Sequence, residues 1–174
     1  AKAFDSKGWV MHCGSFSKCL APGYRLGWVA AGRFAGEVAR QKIESSLATS
    51  LPIQQGIAQM LHHGGYDAHL SRLREVLASQ QAAALDSVQR HFPVGFRLAR
   101  PSGGYFLWIE CAASVDALEV HRLAVDAGIS IAPGPMFSAR RQFGNYLRLN
   151  CGHPWTTVMD RAVQRLGEIL RRLG

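Results

Sequence analysis

Residues 14–28 read GSFSKCLAPGYRLGW, and this stretch is the most informative part of the sequence. It places the primary amine of Lys18 close in sequence to the hydroxyls of Ser15 and Ser17, and the guanidinium of Arg25 follows seven residues later. A primary amine can condense with an aldehyde as a Schiff base. Hydroxyls and the forked, permanently charged arginine suit phosphate oxygens. The stretch therefore predicts a site for a small molecule that carries an aldehyde and a phosphate.

A chain reversal must bring Lys18 and Arg25 together for this site to exist. Seven extended residues would separate them by roughly 23–25 Å, which is more than a small molecule spans. Pro22 and Gly23 favour a type II turn, in which the glycine takes a positive φ. With this reversal the amine and the guanidinium can bind one ligand. Pyridoxal 5'-phosphate carries both the aldehyde and the phosphate that such a site requires.

Composition and charge exclude several classes of function. The chain has 174 residues, of which 48% are hydrophobic and 18% are charged, as in a globular protein. Its net charge is +8, but the basic residues are dispersed and form no run, so this segment is not expected to bind DNA directly. The four cysteines have no CxxC or metal spacing, which predicts reduced, mostly buried thiols and no metal. The first residues lack a signal-peptide core, so we expect a cytoplasmic protein.

Hydrophobic periodicity predicts alternating strands and helices. Residues 66–92 form the clearest helix, because apolar residues recur at steps of three, four or seven. A helical segment over residues 33–63 is expected to break near Pro52. The final helix should place Val158, Ala162, Leu166, Ile169 and Leu173 on one face. The other predicted elements are strands at 9–13, 26–31, 96–98, 105–109, 129–132 and 146–150, and helices at 116–127 and 156–173.

These elements predict an α/β protein in two parts. Residues 64–174 are expected to form a small α/β sandwich with helices on one or two faces of a sheet. The first thirty residues predict only two strands, which cannot stand alone as a sheet. We therefore expect residues 1–63 to be the end of a larger domain with its connecting helices, and the chain to be a fragment of a longer protein.

The strand at residues 146–150 leaves two interpretations open for Arg148. Alternation places Tyr146, Arg148 and Asn150 on one face and two leucines on the other. An arginine in this pattern is most often the solvent side of a strand. Alternatively, Arg148 forms a bidentate pair with a substrate carboxylate.

The motifs occur in an order that resembles a known family. Residues 14–28 are similar to the lysine motif of fold type I pyridoxal-phosphate enzymes, the class I/II aminotransferases. The later segments 101–108 (PSGGYFLW), 129–137 (ISIAPGPMF) and 147–150 (LRLN) follow in the family's order. The amino-acid sequences of residues 130–138 and 147–155 are most similar to those of the aminotransferase-like domain of MocR-type regulators. Those are GntR-family transcription factors with an N-terminal winged helix-turn-helix.

The resemblance implies a role for each matching residue. It makes Lys18 the lysine that bonds to the cofactor, Ser15 and Arg25 the phosphate contacts, Ser17 a further candidate contact, and Arg148 the carboxylate-binding arginine. It also implies a homodimer. The family's aspartate on the pyridine nitrogen and its ring-stacking aromatic lie upstream of Ala1. We therefore expect this fragment not to catalyse transamination and to bind pyridoxal 5'-phosphate weakly or not at all.

Three functions are compatible with these features. The leading hypothesis is the C-terminal part of a MocR-type effector domain that binds pyridoxal 5'-phosphate and senses an amino compound or the cofactor itself. DNA would be bound only through an N-terminal domain outside this chain. The alternative is part of a free-standing aminotransferase, which transfers an amino group between an amino acid and a 2-oxo acid. A third hypothesis is a small α/β module that serves only dimerisation.

Overall fold

The computed structural model describes residues 1–174, which divide into two compact units, Ala1–Leu73 and Arg74–Gly174. The first unit contains an antiparallel strand pair and two helices that precede the start of a third. Its elements are β1 (His12–Ser15), β2 (Gly27–Ala30), α1 (Ala35–Ser46), α2 (Leu51–His62) and the beginning of α3 (Gly65–His91). The break between α1 and α2 lies where Pro52 predicted it, with the proline in the first turn of α2.

The second unit is a four-stranded antiparallel sheet with three helices. The strand order is β3-β4-β6-β5, so β6 lies between β4 and β5. Its elements are the rest of α3, β3 (Arg97–Leu98), β4 (Phe106–Glu110), α4 (Ala117–Asp126), β5 (Ala132–Pro133), β6 (Tyr146–Asn150) and α5 (Thr157–Leu173). None of the helices has the length and apolar character needed to span a bilayer.

The hydrophobic core of the second unit lies on one face of this sheet. Leu107, Ile109 and Leu147 are completely buried there, together with Val88 of α3 and Val120 of α4. The period-two alternation of β4 and β6 sends these aliphatic side chains to one face and the aromatic residues to the other. The predicted α/β sandwich is confirmed for this unit.

The first strand lies later in the chain than predicted. Residues 9–13 were expected to form it, but β1 begins at His12 and extends to Ser15. The carboxylate of Asp5 accepts hydrogen bonds from the backbone N–H groups of Trp9 (3.0 Å) and Val10 (2.9 Å). These bonds hold the preceding backbone in a loop, so it does not join the strand ladder.

The strand expected at residues 129–132 is shorter and later. Ile129 donates its N–H to the carbonyl of Ala124 (2.8 Å), so it belongs to the turn that ends α4. Gly128 has a φ of 74°, which is the left-handed conformation that commonly ends a helix. Only Ala132 and Pro133 then pair with β6.

The first turn of α5 contacts α3 through Asp160, and not through Val158 as predicted. Val158 is 70% exposed. Two residues on, Asp160 accepts a hydrogen bond from Ser87 (2.6 Å), a residue of α3 that is itself fully buried, and another from Arg90 (2.9 Å). Because residues two apart on a helix point in nearly opposite directions, the placement of Asp160 turns Val158 outward.

A close approach of the backbone joins α5 to the end of α3. A Cβ added at Gly167 would overlap the carbonyl oxygen of His91 and lie 2.9 Å from its carbonyl carbon. Arg171, one turn later, donates to the same carbonyl oxygen (2.6 Å) and satisfies a helix-terminal acceptor. The packing of α5 on α3 therefore depends on the absence of a side chain at Gly167.

Gly167→Ala tests this close approach. We expect it to lower the free energy of unfolding by about 1–3 kcal/mol, because the added methyl group overpacks the contact. The matched control is Gly56→Ala in α2, where an added Cβ meets nothing within 4 Å. It should raise stability by about 0.5–1 kcal/mol through helix propensity. Urea unfolding measures both changes, and equal effects of the two variants would contradict the account.

Asp160→Asn tests the polar contact between α3 and α5. The hydroxyl of Ser87, with Arg90 and His91, lowers the pKa of Asp160 below its ordinary value of 3.8. Because the folded pKa is depressed, the carboxylate stabilises the fold above the unfolded pKa, and this contribution is lost as the pH falls through the folded pKa. The variant should therefore have a lower urea midpoint than the native chain at pH 7, and the difference should disappear in acid. Asp126→Asn, which breaks an exposed ion pair with Arg122, should change little at either pH.

Candidate functional site

The predicted site lies on the hairpin formed by β1 and β2. Ser15 is the last residue of β1 and pairs with Gly27, and Gly14 pairs with Trp28. A Cβ at Gly14 would lie 2.5 Å from the indole ring of Trp28, so glycine lets the ring cross the strand. The ladder continues one step beyond the strands, because the N–H of Phe16 donates to the carbonyl of Leu26 (3.0 Å). The hairpin thus fixes the two ends of the loop that carries Lys18.

The chain reverses within this loop, but not by the predicted turn. Residues Pro22–Tyr24 form a short 3-10 helix, and Arg25 itself adopts the left-handed conformation (φ 47°, ψ 35°). Gly23 is not among the residues with positive φ, so the predicted type II turn is wrong. The N–H groups of Leu20 and Ala21 both donate to the carbonyl of Phe16 (2.8 and 3.1 Å), which tightens the loop before the 3-10 helix begins.

The reversal brings three polar side chains together. Arg25 Nη1 donates to Ser17 Oγ (3.2 Å), and the N–H of Ser17 donates to Ser15 Oγ (3.2 Å). Lys18 follows directly in the same turn and is exposed. Arg25 takes part in no ion pair with a carboxylate, so its charge is not neutralised within the chain. A guanidinium and two hydroxyls beside a lysine form a donor set that suits an anion such as a phosphate.

Two residues of α3 that no sequence pattern indicated, Tyr66 and His69, hold this loop in place. The ring of Phe16 is buried and meets Tyr66 edge-on, with 5.7 Å between the centroids. The hydroxyl of Tyr66 lies 3.0 Å from the thiol of Cys19, and His69 Nε2 lies 2.8 Å from the carbonyl oxygen of Cys19. Tyr66 and His69 are three residues apart on α3, a spacing that any helix contains. The sequence therefore carried no signal for this contact.

Arg148 belongs to the second unit and lies on the solvent-facing side of the sheet. It is partly buried in the middle of β6, opposite Trp108 of β4, and Leu147 beside it points into the core. Its guanidinium carbon lies 4.1 Å from the ring centroid of Phe106 and 4.3 Å from that of Phe137. The predicted alternation of this strand is confirmed, and Arg148 forms no ion pair with a carboxylate.

The four cysteines are all free, and they differ in exposure. Cys111 and Cys151 are buried, and burial raises the pKa of the Cys111 thiol to about 11. Burial also raises the pKa of Cys151. A thiol with a raised pKa is a poor nucleophile at neutral pH, so these two residues serve the core. Cys13 is exposed, so the expectation of mostly buried thiols holds for only part of the set.

The family model for class I and II aminotransferases matches residues 2–166. The chain belongs to this family. Solved structures agree: the multiple substrate aminotransferase of Thermococcus profundus matches 98% of the chain with a TM-score of 0.89 and 30% identity, and the match covers 43% of that protein. The predicted fold class, an α/β structure of the fold type I transferases, is confirmed.

Relatives of this aminotransferase-family chain include regulators as well as enzymes. The uncharacterized HTH-type transcriptional regulator YdcR of Escherichia coli is 41% identical over 171 residues, which is 98% of the chain and 36% of the regulator. Aromatic-amino-acid aminotransferase 1 of Thermococcus litoralis is 33% identical over 174 residues, 98% of the chain and 41% of that enzyme. The chain thus spans less than half of each relative. The predicted resemblance to transcriptional regulators is confirmed.

Replacing Arg25 by Gly and by Ala separates its backbone conformation from its guanidinium. Both variants lose the hydrogen bond to Ser17, but only glycine adopts a positive φ without strain. We expect the glycine variant to be more stable than the alanine variant by about 1 kcal/mol in urea unfolding. The control pair is Arg40→Gly and Arg40→Ala in the middle of α1, where the order should reverse because alanine favours a helix. The same order at both positions would contradict a left-handed Arg25.

Proposed function

We propose that this chain is the C-terminal part of a pyridoxal-phosphate-binding, aminotransferase-like effector domain of a MocR-type transcriptional regulator of the GntR family. The observation that carries the proposal is the juxtaposition of Arg25, Ser17 and Ser15 in the loop of Lys18. The 41% identity with a regulator of the HTH type favours the regulatory branch. The amino compound that is sensed, or the cofactor itself, would act as the effector.

The residues of the loop fit both the phosphate and the aldehyde of the cofactor. Arg25 and the hydroxyls of Ser15 and Ser17 would hold the phosphate, because the guanidinium has no carboxylate partner and one hydroxyl already lies within its reach. Lys18 Nζ would condense with the aldehyde, whose oxygen leaves as water, and in a catalytic setting the amine would carry a proton as general acid and base. Pyridoxal 5'-phosphate, when bound, supplies a ring that stabilises negative charge on a substrate carbon.

The remaining parts of the proposal concern the whole protein. Arg148 would bind the carboxylate of the amino compound. Residues 1–63 would belong to the cofactor-binding domain and residues 64–174 to the small domain. A homodimer is supported by two exposed apolar residues: Leu47, which follows α1 and is 77% exposed, and Leu51, the first residue of α2, which is 63% exposed. DNA would be bound by another domain, and a regulator of this kind would act in the cytoplasm, where bacterial DNA lies.

A free-standing aminotransferase is the second candidate, and the 33% identity with an aromatic-amino-acid aminotransferase favours it. The two candidates make different predictions for the full-length protein. A regulator binds a specific DNA fragment with an affinity that changes when the amino compound is added. An enzyme converts an amino acid and a 2-oxo acid without binding DNA.

Covalent attachment of the cofactor to Lys18 is the direct test of cofactor binding. We expect borohydride reduction of the full-length protein with pyridoxal 5'-phosphate to attach the cofactor to Lys18, as detected by peptide mass spectrometry. Lys18→Ala should abolish this adduct, and Lys42→Ala, which removes an exposed lysine of α1, should not. Arg25→Gln should weaken cofactor binding by about 10- to 100-fold, because it removes a charged hydrogen-bond donor to the phosphate. An adduct on another lysine, or undiminished binding in the Arg25 variant, would overturn the proposal.

A further inference from the structure

Aromatic rings from both neighbouring strands surround Arg148 on the outer face of the sheet. Because β6 lies between β4 and β5, Phe106 of β4 reaches the guanidinium from one side. Phe137 follows β5 in a short 3-10 helix and reaches it from the other side. The distances of 4.1 and 4.3 Å from the guanidinium carbon to the two ring centroids are those of cation–π contacts.

A second layer of rings extends this aromatic surface. Trp108 stacks on Tyr146, with 5.4 Å between centroids and 28° between planes. It also meets Phe137 (5.5 Å) and Phe143 (5.6 Å) edge-on. We call the set Phe106, Trp108, Phe137, Phe143 and Tyr146 the aromatic cluster of Arg148.

The guanidinium of Arg148 takes part in no ion pair with a carboxylate. Burial raises the pKa of Tyr146, and the carboxylate of Glu110, at the far end of the same face, raises it further by accepting a hydrogen bond from the Tyr146 hydroxyl. Arg97 lies 3.8 Å from Glu110 and is thereby paired. A ligand that reaches Arg148 thus meets a guanidinium without a carboxylate partner, set between aromatic rings.

Both rings over Arg148 are partly exposed in this chain. Phe106 is 39% exposed and Phe137 is 42% exposed, so each ring covers the guanidinium and still presents part of its surface outward. With rings over the guanidinium, its N–H donors remain available for a forked pair with a carboxylate. A second carboxylate would lie against aromatic faces, whose negative quadrupole disfavours an anion.

From these observations we infer that the amino compound bound at Arg148 carries a single carboxylate next to an apolar side chain, and that Phe106 and Phe137 determine this specificity. The inference rests on the proposed role of Arg148 as the carboxylate partner. The two phenylalanines hold the guanidinium and contact the apolar group of the ligand. Neutral, apolar amino acids are therefore favoured over acidic ones, whose second carboxylate would lie against the faces of the aromatic rings.

Calorimetric titration of the full-length protein with L-leucine and with L-glutamate tests the inference. We expect leucine to bind about tenfold more tightly than glutamate or better, as expected for discrimination by an apolar pocket. Phe106→Ala and Phe137→Ala should each weaken leucine binding by about three- to tenfold through lost cation–π and apolar contact. They should change glutamate binding less, so the preference falls. Phe137→Leu, which keeps the apolar contact and loses the ring, should recover part of the leucine affinity.

Phe143→Leu is the matched control. Phe143 is 40% exposed and belongs to the same cluster, but it does not lie over Arg148. Its loss should leave the ratio of the two affinities unchanged. Glutamate binding as tight as leucine binding would overturn the inference, as would no binding of either amino acid. An equal loss for both amino acids in the Phe106 and Phe137 variants, or the same change in preference in the Phe143 control, would also overturn it.

Failure of this inference can be told apart from failure of the proposed function. Arg148→Gln should strongly weaken the binding of both amino acids. If it does not, the proposed carboxylate site is wrong. The adduct on Lys18 tests the cofactor site independently of Arg148. A protein that forms this adduct and needs Arg148, yet prefers glutamate, keeps the proposed function and loses only the specificity inferred from Phe106 and Phe137.

Discussion

The hairpin between β1 and β2 is the constraint on which the functional account depends. Pairing of Ser15 with Gly27 fixes where the loop leaves and re-enters the ladder, and the left-handed backbone of Arg25 turns its side chain back toward Ser17. Left-handed backbone is unfavourable for a residue with a Cβ. Strain of this kind is concentrated at sites where a side chain must be placed for function. The position of Arg25 is consistent with such a site.

The second unit depends on the alternation of side chains along β4 and β6. One face sends Leu107 and Leu147 into the core beneath α3, α4 and α5. The opposite face carries Trp108 and Arg148 in register. The same strands therefore supply stability on one side and a charged, aromatic surface on the other. Fixed on a strand whose other face is buried, Arg148 has little backbone freedom, as its proposed role in carboxylate binding requires.

Much of this could be predicted from the sequence because its signals are local. Helical periodicity predicted α3 within one residue at each end, and alternation predicted β6 with its true bounds. The errors arose where a side chain outside the segment determined the structure of that segment. Asp5 holds the backbone of residues 9 and 10 out of the strand, and Ser87 binds Asp160 and so turns Val158 outward.

The candidate site shows the same division. The sequence predicted the chain reversal that brings Arg25 to the hydroxyls of the lysine loop, but it did not predict the form of that reversal. Proline and glycine satisfy the requirements of a type II turn, yet the loop uses a 3-10 helix and places the positive φ at Arg25. The rings beside Arg148 come from two other segments, and no pattern in the sequence connects Phe106 with Phe137.

A crystal structure of the full-length protein with pyridoxal 5'-phosphate would show which groups hold the cofactor. We expect electron density continuous with Lys18 Nζ. We also expect phosphate oxygens at hydrogen-bond distance, about 3 Å, from Arg25 and from the hydroxyls of Ser15 and Ser17. A cofactor bound elsewhere, or a phosphate held without Arg25, would contradict the proposed cofactor site.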